Sequence, residues 1–369
     1  MASHLSPFGF LGFLALSLGA CLEVPPPAHE QAEQGPRMRV DADTPKGPSL
    51  RAQVGQPVET PKPRPGGDGD GESDGDEIVP GELAVVADHF PAPARLVAIG
   101  DLHGDLEVTK AALRLAGAID GSERWIGGSL VIVQTGDQLD RGEGEQEILE
   151  LLARVQRQAA AAGGALHILN GNHEFMNALG DLRYVTPGGF ADFEDAPGVD
   201  PDDPALGTVM AEVPERARAR VAAFFPGQPW ARELAKRNTI VVVGDSVFVH
   251  GGVLPTYAED IGAVNREARA FLAGERAEPP EAIVDPDGPV WSRHYSNEPD
   301  ADDCALLEAT LATLGAERMV VGHTVHTEGI QSACGDRIWM IDVGMADYYD
   351  GPLQVLEIRG GEVAVLRAK

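Results

Sequence analysis

Residues 95–105 read RLVAIGDLHGD, and the switch from its apolar half to its polar half decides the fold. Arg95 to Gly100 is an apolar run of strand length. It stops at Gly100-Asp101-Leu102-His103-Gly104-Asp105, a polar cluster flanked by glycines. The pattern returns twice. Leu130–Thr135 (LVIVQT) runs into Gly136-Asp137-Gln138-Leu139-Asp140-Arg141-Gly142, and Ala165–Asn170 (ALHILN) runs into Gly171-Asn172-His173-Glu174. Between these strands, Leu106–Leu115 and Glu145–Ala161 have helical spacing. A β-α-β-α-β order predicts parallel strands joined by crossover helices, an α/β fold. Functional groups of open α/β sheets collect at the carboxyl ends of strands, so the clusters are expected to meet in space.

Farther along the chain, Thr239–Gly244 and Val247–His250 read as a hairpin turning at Asp245-Ser246 and running into His250-Gly251-Gly252. Helices are expected at Tyr257–Leu272 and Asp303–Leu314. Arg318–Val321 reads as a strand entering Gly322-His323-Thr324, and Arg337–Asp342, Leu353–Ile358 and Glu362–Leu366 as strands to the end. Gly360-Gly361 is a hairpin signal between the last two. Asp181–Asn238 is long, acidic and partly helical, and such an insertion is expected to lie over a site and shape it.

The residue types in the clusters have a common chemistry. Two adjacent divalent metals need a bridging carboxylate, terminal imidazole, carboxylate or amide ligands, and open positions for water and substrate. Asp101 and His103 are two apart, so an extended turn can aim both at one metal. Asp137 arrives from the neighbouring strand and is the natural bridge. Asn172, His250 and His323 would complete a second metal. Flanking glycines permit tight turns and close backbone approach. Other polar residues read differently. His167 lies within a strand and is expected in the core, Glu174 is expected to brace its turn, and Asp105 to cap the helix starting at Leu106. Asp140 and Arg141 could instead pair with each other across their turn, and Arg293 could be a surface cation.

The blocks GDLHG (100–104), GDQLDRG (136–142), GNHE (171–174) and HGG (250–252) resemble those of the calcineurin-like metallophosphoesterases, within them the phosphoprotein phosphatase branch. The stretches at 171–190, GPVWSRHYS (288–296) and 318–349 are similar to the Shewanella-like protein phosphatases. The resemblance covers roughly residues 90–360. It implies a four-layer β-sandwich flanked by helices, with a dinuclear metal site at strand ends. It implies Asp101, His103 and Asp137 on the first metal, and Asp137, Asn172, His250 and His323 on the second, with Mn, Fe or Zn equally suited to these donors. A metal-bridging hydroxide would attack phosphorus, Arg141 and Arg293 would clamp phosphate oxygens, and His173 held by Asp140 would protonate the leaving group. One departure is informative. Many calcineurin-like nucleases carry Gly-His-x-His, but here Val325 holds the second His position and His326 follows one residue later, so His326 is expected off the metal. The implied activity is phosphomonoester hydrolysis on phosphorylated proteins, and the resemblance to Shewanella-like enzymes suggests a preference for phosphotyrosine. The alternatives are a small-molecule or dinucleoside-polyphosphate hydrolase, or a non-catalytic surface lipoprotein.

Composition sets outer limits. The chain carries 29 Lys+Arg against 58 Asp+Glu, a formal charge of −29, with no basic run, which disfavours a nucleic-acid partner. Residues 1–21 read as a signal peptide whose Leu18-Gly19-Ala20-Cys21 resembles a bacterial lipobox, with Cys21 lipidated, although no Lys or Arg precedes Arg37. The expectation is a periplasmic or outer-membrane-anchored protein. Residues 22–85 read as a disordered Pro-rich acidic linker, and 86–369 as the catalytic domain. The acidic stretch 68–77 half-resembles a calcium loop but has Gly81 where the closing Glu belongs, so a solvated linker is expected. With Cys21 lipidated, Cys304 and Cys334 remain. In an oxidising compartment they are expected to pair, the alternative being two buried thiols.

Overall fold

A computed structural model describes residues 86–368. The expected leader with Cys21, the linker and its acidic stretch lie outside the described residues. Two β-sheets pack face to face. The first has the order β11-β10-β2-β3-β4. Its parallel centre is β2 (Leu96–Ile99), β3 (Val131–Gln134) and β4 (Ala165–Ile168), with Leu96 opposite Val131 and Val131 opposite Ala165. β10 (Gln354–Arg359) runs antiparallel to β2 and turns through Gly360 and Gly361, both at positive φ, into β11 (Glu362–Arg367). The second sheet is β1 (His89–Phe90), β5 (Ile240–Val243), β6 (Ser246–Val249), β7 (Arg318–Val321), β9 (Ile338–Met340) and β8 (Gln331–Ala333), in that spatial order.

Burial explains the layering. Leu96, Ala98, Val133 and Leu356 of the first sheet meet Val241, Val243, Phe248 and Val320 of the second in one dry layer. Each fully buried aliphatic side chain there contributes about 1.5–3 kcal/mol. The opposite face of the first sheet, with Val97, Ile99 and Ile132, is covered by α1 (Leu106–Leu115) and α2 (Glu145–Ala161). The opposite face of the second, with Val247, Val249 and Val321, is covered by α8 (Pro255–Ala258), α9 (Ile261–Leu272) and α11 (Ala301–Leu314). The central strands β2, β5, β6 and β7 are buried along their whole length and present apolar residues to both sides, which is why these segments read as continuous rather than alternating runs. The result is the expected four-layer sandwich.

Two helix boundaries and two short strands differ from expectation. The helix predicted over 257–272 is two helices, because Asp260 stops the first and caps the second by accepting from Ala263 N. The helix predicted from Asp303 starts at Ala301. There Asp300 accepts from the amides of Asp302 and Asp303, and Asp303 reaches back to the Asp300 amide. Strands β1 and β8 have no sequence signature of their own: one is two residues long and the other reads Gln-Ser-Ala.

The remaining helices serve the site. α3 (Asn172–Ala178) leaves β4 directly. The insertion folds as α4 (Pro187–Ala191), α5 (Gly207–Met210), α6 (Arg218–Phe224) and α7 (Pro229–Leu234), with one apolar cluster of its own around Leu206–Val221 and a second, around Phe193–Phe224–Trp230, shared with Phe175, Phe271 and Ile283 outside it. α10 (Glu281–Val284) precedes the Trp291–Arg293 segment. No helix among the described residues is long and apolar enough to cross a membrane.

Candidate metal centre

The strand ends converge as loops that are hydrogen-bonded to one another. The amides of Leu102 and His103 both donate to Asp137 O, at 2.9 and 3.0 Å, and Gly104 N donates to Gln138 O at 2.9 Å. Glu174 clamps the same turns from below, accepting from Asp137 N (2.9 Å), Gln138 N (2.8 Å) and Gly171 N (2.6 Å). It braces the turn and does not face the ligands. Asp105 caps α1 by accepting from Val108 N at 3.0 Å. These turns are strained where the chemistry lies. His103, Asp137, Asp140, Arg141 and His323 all have φ between +44° and +67°. Such a backbone costs on the order of 1–3 kcal/mol at a non-glycine residue and persists only where the surroundings over-determine it. Two glycines leave room for ligands. A Cβ on Gly171 would meet Asp137 Oδ1, and one on Gly322 would meet Asp101 Oδ1.

Side chains from five strand ends fill one buried pocket. His103 Nε2 and His173 Nε2 each lie 3.8 Å from Asp137 Oδ2, and His250 Nε2 lies 3.2 Å from the same oxygen. Asn172 Oδ1 is 2.8 Å from His250 Nε2. Two overlapping groups have ligand geometry, His103–Asp137–His173 and Asp137–His250–His323, with Asp137 common to both. Asp101 stands beside them, its Oδ1 3.9 Å from His250 Nδ1. The imidazoles are aimed from behind. His103 Nδ1 pairs with Leu139 O (3.1 Å), His250 Nδ1 with Thr135 O (3.1 Å) and His323 Nε2 with Trp291 O (3.1 Å). A carbonyl partner makes that nitrogen the N–H donor, so each ring turns its lone pair inward.

The electrostatics call for cations. Burial, Asp342 and Asp137 push the Asp101 carboxyl well above its usual range, and burial raises Asp342. Asp101 Oδ1 and Asp342 Oδ2 are buried without a hydrogen-bond partner. Burial, with neighbouring histidines and arginines, pushes His103 and His323 well below the ordinary imidazole range, so both are neutral. Asp137, in spite of burial, is held well below the carboxylate range by His250 and His173. Neutral imidazoles, an ionised shared carboxylate and orphaned carboxylate oxygens are what divalent ions require. The residues present fit such ions.

Around this centre lie groups able to handle phosphate and protons. His173 Nδ1 is 2.6 Å from Asp140 Oδ2, and, against the lowering effect of burial, Asp137 and Asp140 raise its pKa. The Arg141 guanidinium sits among three rings, 4.7 Å from Tyr184, 5.0 Å from Tyr349 and 5.3 Å from Tyr348. Arg293 donates to His323 O (3.0 Å) and Thr324 Oγ1 (3.2 Å), at the edge of the centre rather than on the open surface. His326 turns away, its Nε2 3.1 Å from Ser296 O. His167 packs on Phe90 at 4.0 Å, and burial lowers it to about 4. Cys304 and Cys334 are joined by a disulfide with Cα atoms 5.2 Å apart.

Sequence reasoning missed several members of this site. Asp342 follows the apolar run Ile338–Ile341, the same strand-then-carboxylate signature as Asp101 and Asp137, and could have been found that way. Arg220, fully buried on α6, binds both Asp140 and Glu145, whose side chain is pushed up to about 7 by burial in spite of Arg220. Nothing in the run RARVAAF distinguishes it from an exposed helical arginine.

Comparison with known proteins agrees with this geometry. The calcineurin-like phosphoesterase family matches residues 94–326. Shewanella-like protein phosphatase 2 of Arabidopsis thaliana is 43% identical over 303 residues, spanning 74% of this chain and 78% of that one. An uncharacterized protein of Schizosaccharomyces pombe is 32% identical over 275 residues, spanning 72% and 77%. The crystal structure of the cold-active protein-tyrosine phosphatase of a psychrophilic Shewanella species has the same fold, with a TM-score of 0.60 at 24% identity over 77% of this chain and 83% of that one. The chain thus belongs to the calcineurin-like phosphoesterases, a family of metal-dependent phosphate-ester hydrolases, on the branch of the Shewanella-like protein phosphatases.

Proposed function

We propose that this phosphoesterase is a dinuclear protein phosphatase that prefers phosphotyrosine. The observation that carries the preference is the guanidinium of Arg141 set among the rings of Tyr184, Tyr348 and Tyr349, two of which also stand beside His103 and His173. Those two, Tyr349 and Tyr184, lie 5.6 and 5.2 Å from the rings of His103 and His173. An aromatic-walled mouth favours an aryl phosphate, whose ring gains stacking and apolar contact that a phosphoserine methylene cannot. Names of related proteins point the same way: one is a protein phosphatase by name and the structural neighbour a protein-tyrosine phosphatase.

Each residue has a part. Asp101, His103 and Asp137 would hold one divalent ion, and Asp137, Asn172, His250 and His323 the other. Bound there, such ions supply a polarising charge on phosphate oxygens and an acidified water able to attack phosphorus. Arg141 and Arg293 orient the phosphate from the rim, Arg141 offering a planar fork that matches two of its oxygens. His173, with Nδ1 fixed on Asp140, presents Nε2 to the site and gives its proton to the departing phenoxide or alkoxide. The net charge of −29 sits mostly outside this pocket and does not oppose a dianion there.

The test is kcat/KM on matched phosphotyrosine and phosphoserine peptides and on a dinucleoside polyphosphate. A phosphotyrosine preference above tenfold, about 1.4 kcal/mol, supports the reading. Faster turnover of the dinucleoside polyphosphate overturns it in favour of a small-molecule hydrolase. We further propose export with a lipid anchor at Cys21. The lipobox-like residues 18–21 and the Cys304–Cys334 disulfide, a bond that persists in oxidising compartments, support it. Cys21→Ser should move the protein from the membrane to the soluble fraction, and an unchanged distribution sinks the anchor.

A further inference from the structure

Arg220 is a charged side chain with no exposure, carried by α6 of the helical insertion. A guanidinium has five N–H donors, and all are used. Nε donates to Asn177 Oδ1 at 2.7 Å. Nη1 donates to Gly189 O at 2.8 Å and to Glu145 Oε2. Nη2 donates to Asp140 Oδ1 at 3.0 Å and to Glu145 Oε1 at 2.9 Å. Phe193 and Phe224 flank the group, each ring 5.3 Å away. Such a cation cannot swing without leaving several buried acceptors unpaired.

The acceptors are those around His173. Asp140 spends Oδ2 on His173 Nδ1, and spends Oδ1 on Arg220 and on Asn177 Nδ2 at 3.0 Å. Its backbone amide donates to Glu145 Oε1, the oxygen that Arg220 also holds. Asn177 is tied in turn to His173 O at 2.9 Å. Asp140 sits at φ +67°, a backbone setting that needs outside support. That support comes from a residue 80 positions away in sequence, on an element that contributes no metal ligand.

We propose that Arg220 is a positioning residue for proton delivery: it locks the Asp140 carboxylate that aims His173, so the insertion carries part of the general-acid device. This rests on the reading of His173 as the acid. Replacing the arginine alone leaves Asp140 and Glu145 buried without their cation, so stability should fall whether Arg220 is merely structural or positioning. What separates the two roles is whether the loss of kcat depends on the leaving group's need for a proton.

The test uses two aryl phosphates that differ in leaving group. p-Nitrophenyl phosphate leaves as a stable phenolate and needs little proton donation; phenyl phosphate needs it. Arg220→Met should lower kcat on phenyl phosphate about thirtyfold or more and on p-nitrophenyl phosphate less than about threefold, with bound metal unchanged, in keeping with the usual contribution of a general acid. In a His173→Asn background the same substitution should cost almost nothing further, because residues acting as one unit are non-additive. If Arg220→Met does not fold, Arg220→Lys and Glu145→Gln loosen the same fork and should show the same split. Equal losses on both substrates, or additive losses with His173→Asn, overturn the proposal. If His173→Asn itself shows no leaving-group dependence, the general-acid reading fails first and the role of Arg220 falls with it.

Discussion

Two groups of buried carboxylates lie side by side in this protein and are balanced in opposite ways. At the strand ends, Asp101 and Asp342 lie together with orphaned oxygens; burial raises both, and repulsion from Asp342 and Asp137 raises Asp101 further. At the junction with the insertion, Asp140 and Glu145 share the guanidinium of Arg220, and Asp140 is held below its usual range by His173 and Arg220 although burial opposes this. The first group leaves its charge for ions from solution to neutralise; the second supplies its own cation and becomes rigid. Uncompensated buried charge marks where a cofactor enters, and compensated buried charge marks where orientation matters.

The comparison breaks most directly at Asp137. Asp137→Asn removes the oxygen shared by both ligand groups, so kcat/KM should fall about a thousandfold or more and bound metal should drop in elemental analysis. A variant that keeps both metal and activity would revive a purely binding role. Removal of metal from the intact protein should abolish turnover and also lower Tm, since ions that bind only the folded state stabilise it by about 3–4 kcal/mol at a hundred to a thousand times Kd. Re-addition of Mn, Fe or Zn should restore both, and an unchanged Tm would mean that the first group is balanced from within. Arg141→Ala should reduce kcat/KM on phosphotyrosine peptide by about thirty- to a hundredfold, mostly through KM, with less effect on phosphoserine peptide. Equal effects would detach the tyrosine rings from selectivity.

Smaller effects are expected away from both groups. Cys304→Ser opens a bridge between residues 30 apart and should cost about 2–4 kcal/mol of stability, with kcat of the folded enzyme within twofold of the parent. A larger loss of kcat would tie α11 to the site. His167 offers the smallest. Its folded pKa of about 4 lies below the unfolded value of 6.5, so its contribution is present above pH 6.5 and lost as pH falls toward 4. His167→Leu should flatten that stretch of the stability–pH curve by about 1–3 kcal/mol, measured by denaturant unfolding. A curve of unchanged shape would mean that His167 is solvated in the fold.

Much of this protein is determined by local sequence. Apolar runs of strand length that stop at Gly-Asp or Gly-Asn carry the parallel core, because a buried strand must be apolar on both faces and its end must turn sharply. The residues of those turns, Asp101, His103, Asp137, Asn172, His250 and His323, stand out as candidates for the same reason: ligand types at strand ends are few and their spacing is short. Asp105 and Glu174 were legible as caps and braces because their partners lie within a few residues or in the adjoining turn. Tertiary structure alone decided the rest. Which imidazole nitrogen faces inward depends on carbonyls of Leu139, Thr135 and Trp291, the last 32 positions from its histidine. Asp342 joins Asp101 only when β9 comes to lie beside β7, and Arg220 meets Asp140 only when α6 packs on α3. Long-range electrostatics leave no trace in local spacing: a buried arginine and an exposed one have the same neighbours in sequence, and only the folded chain removes the water from one of them.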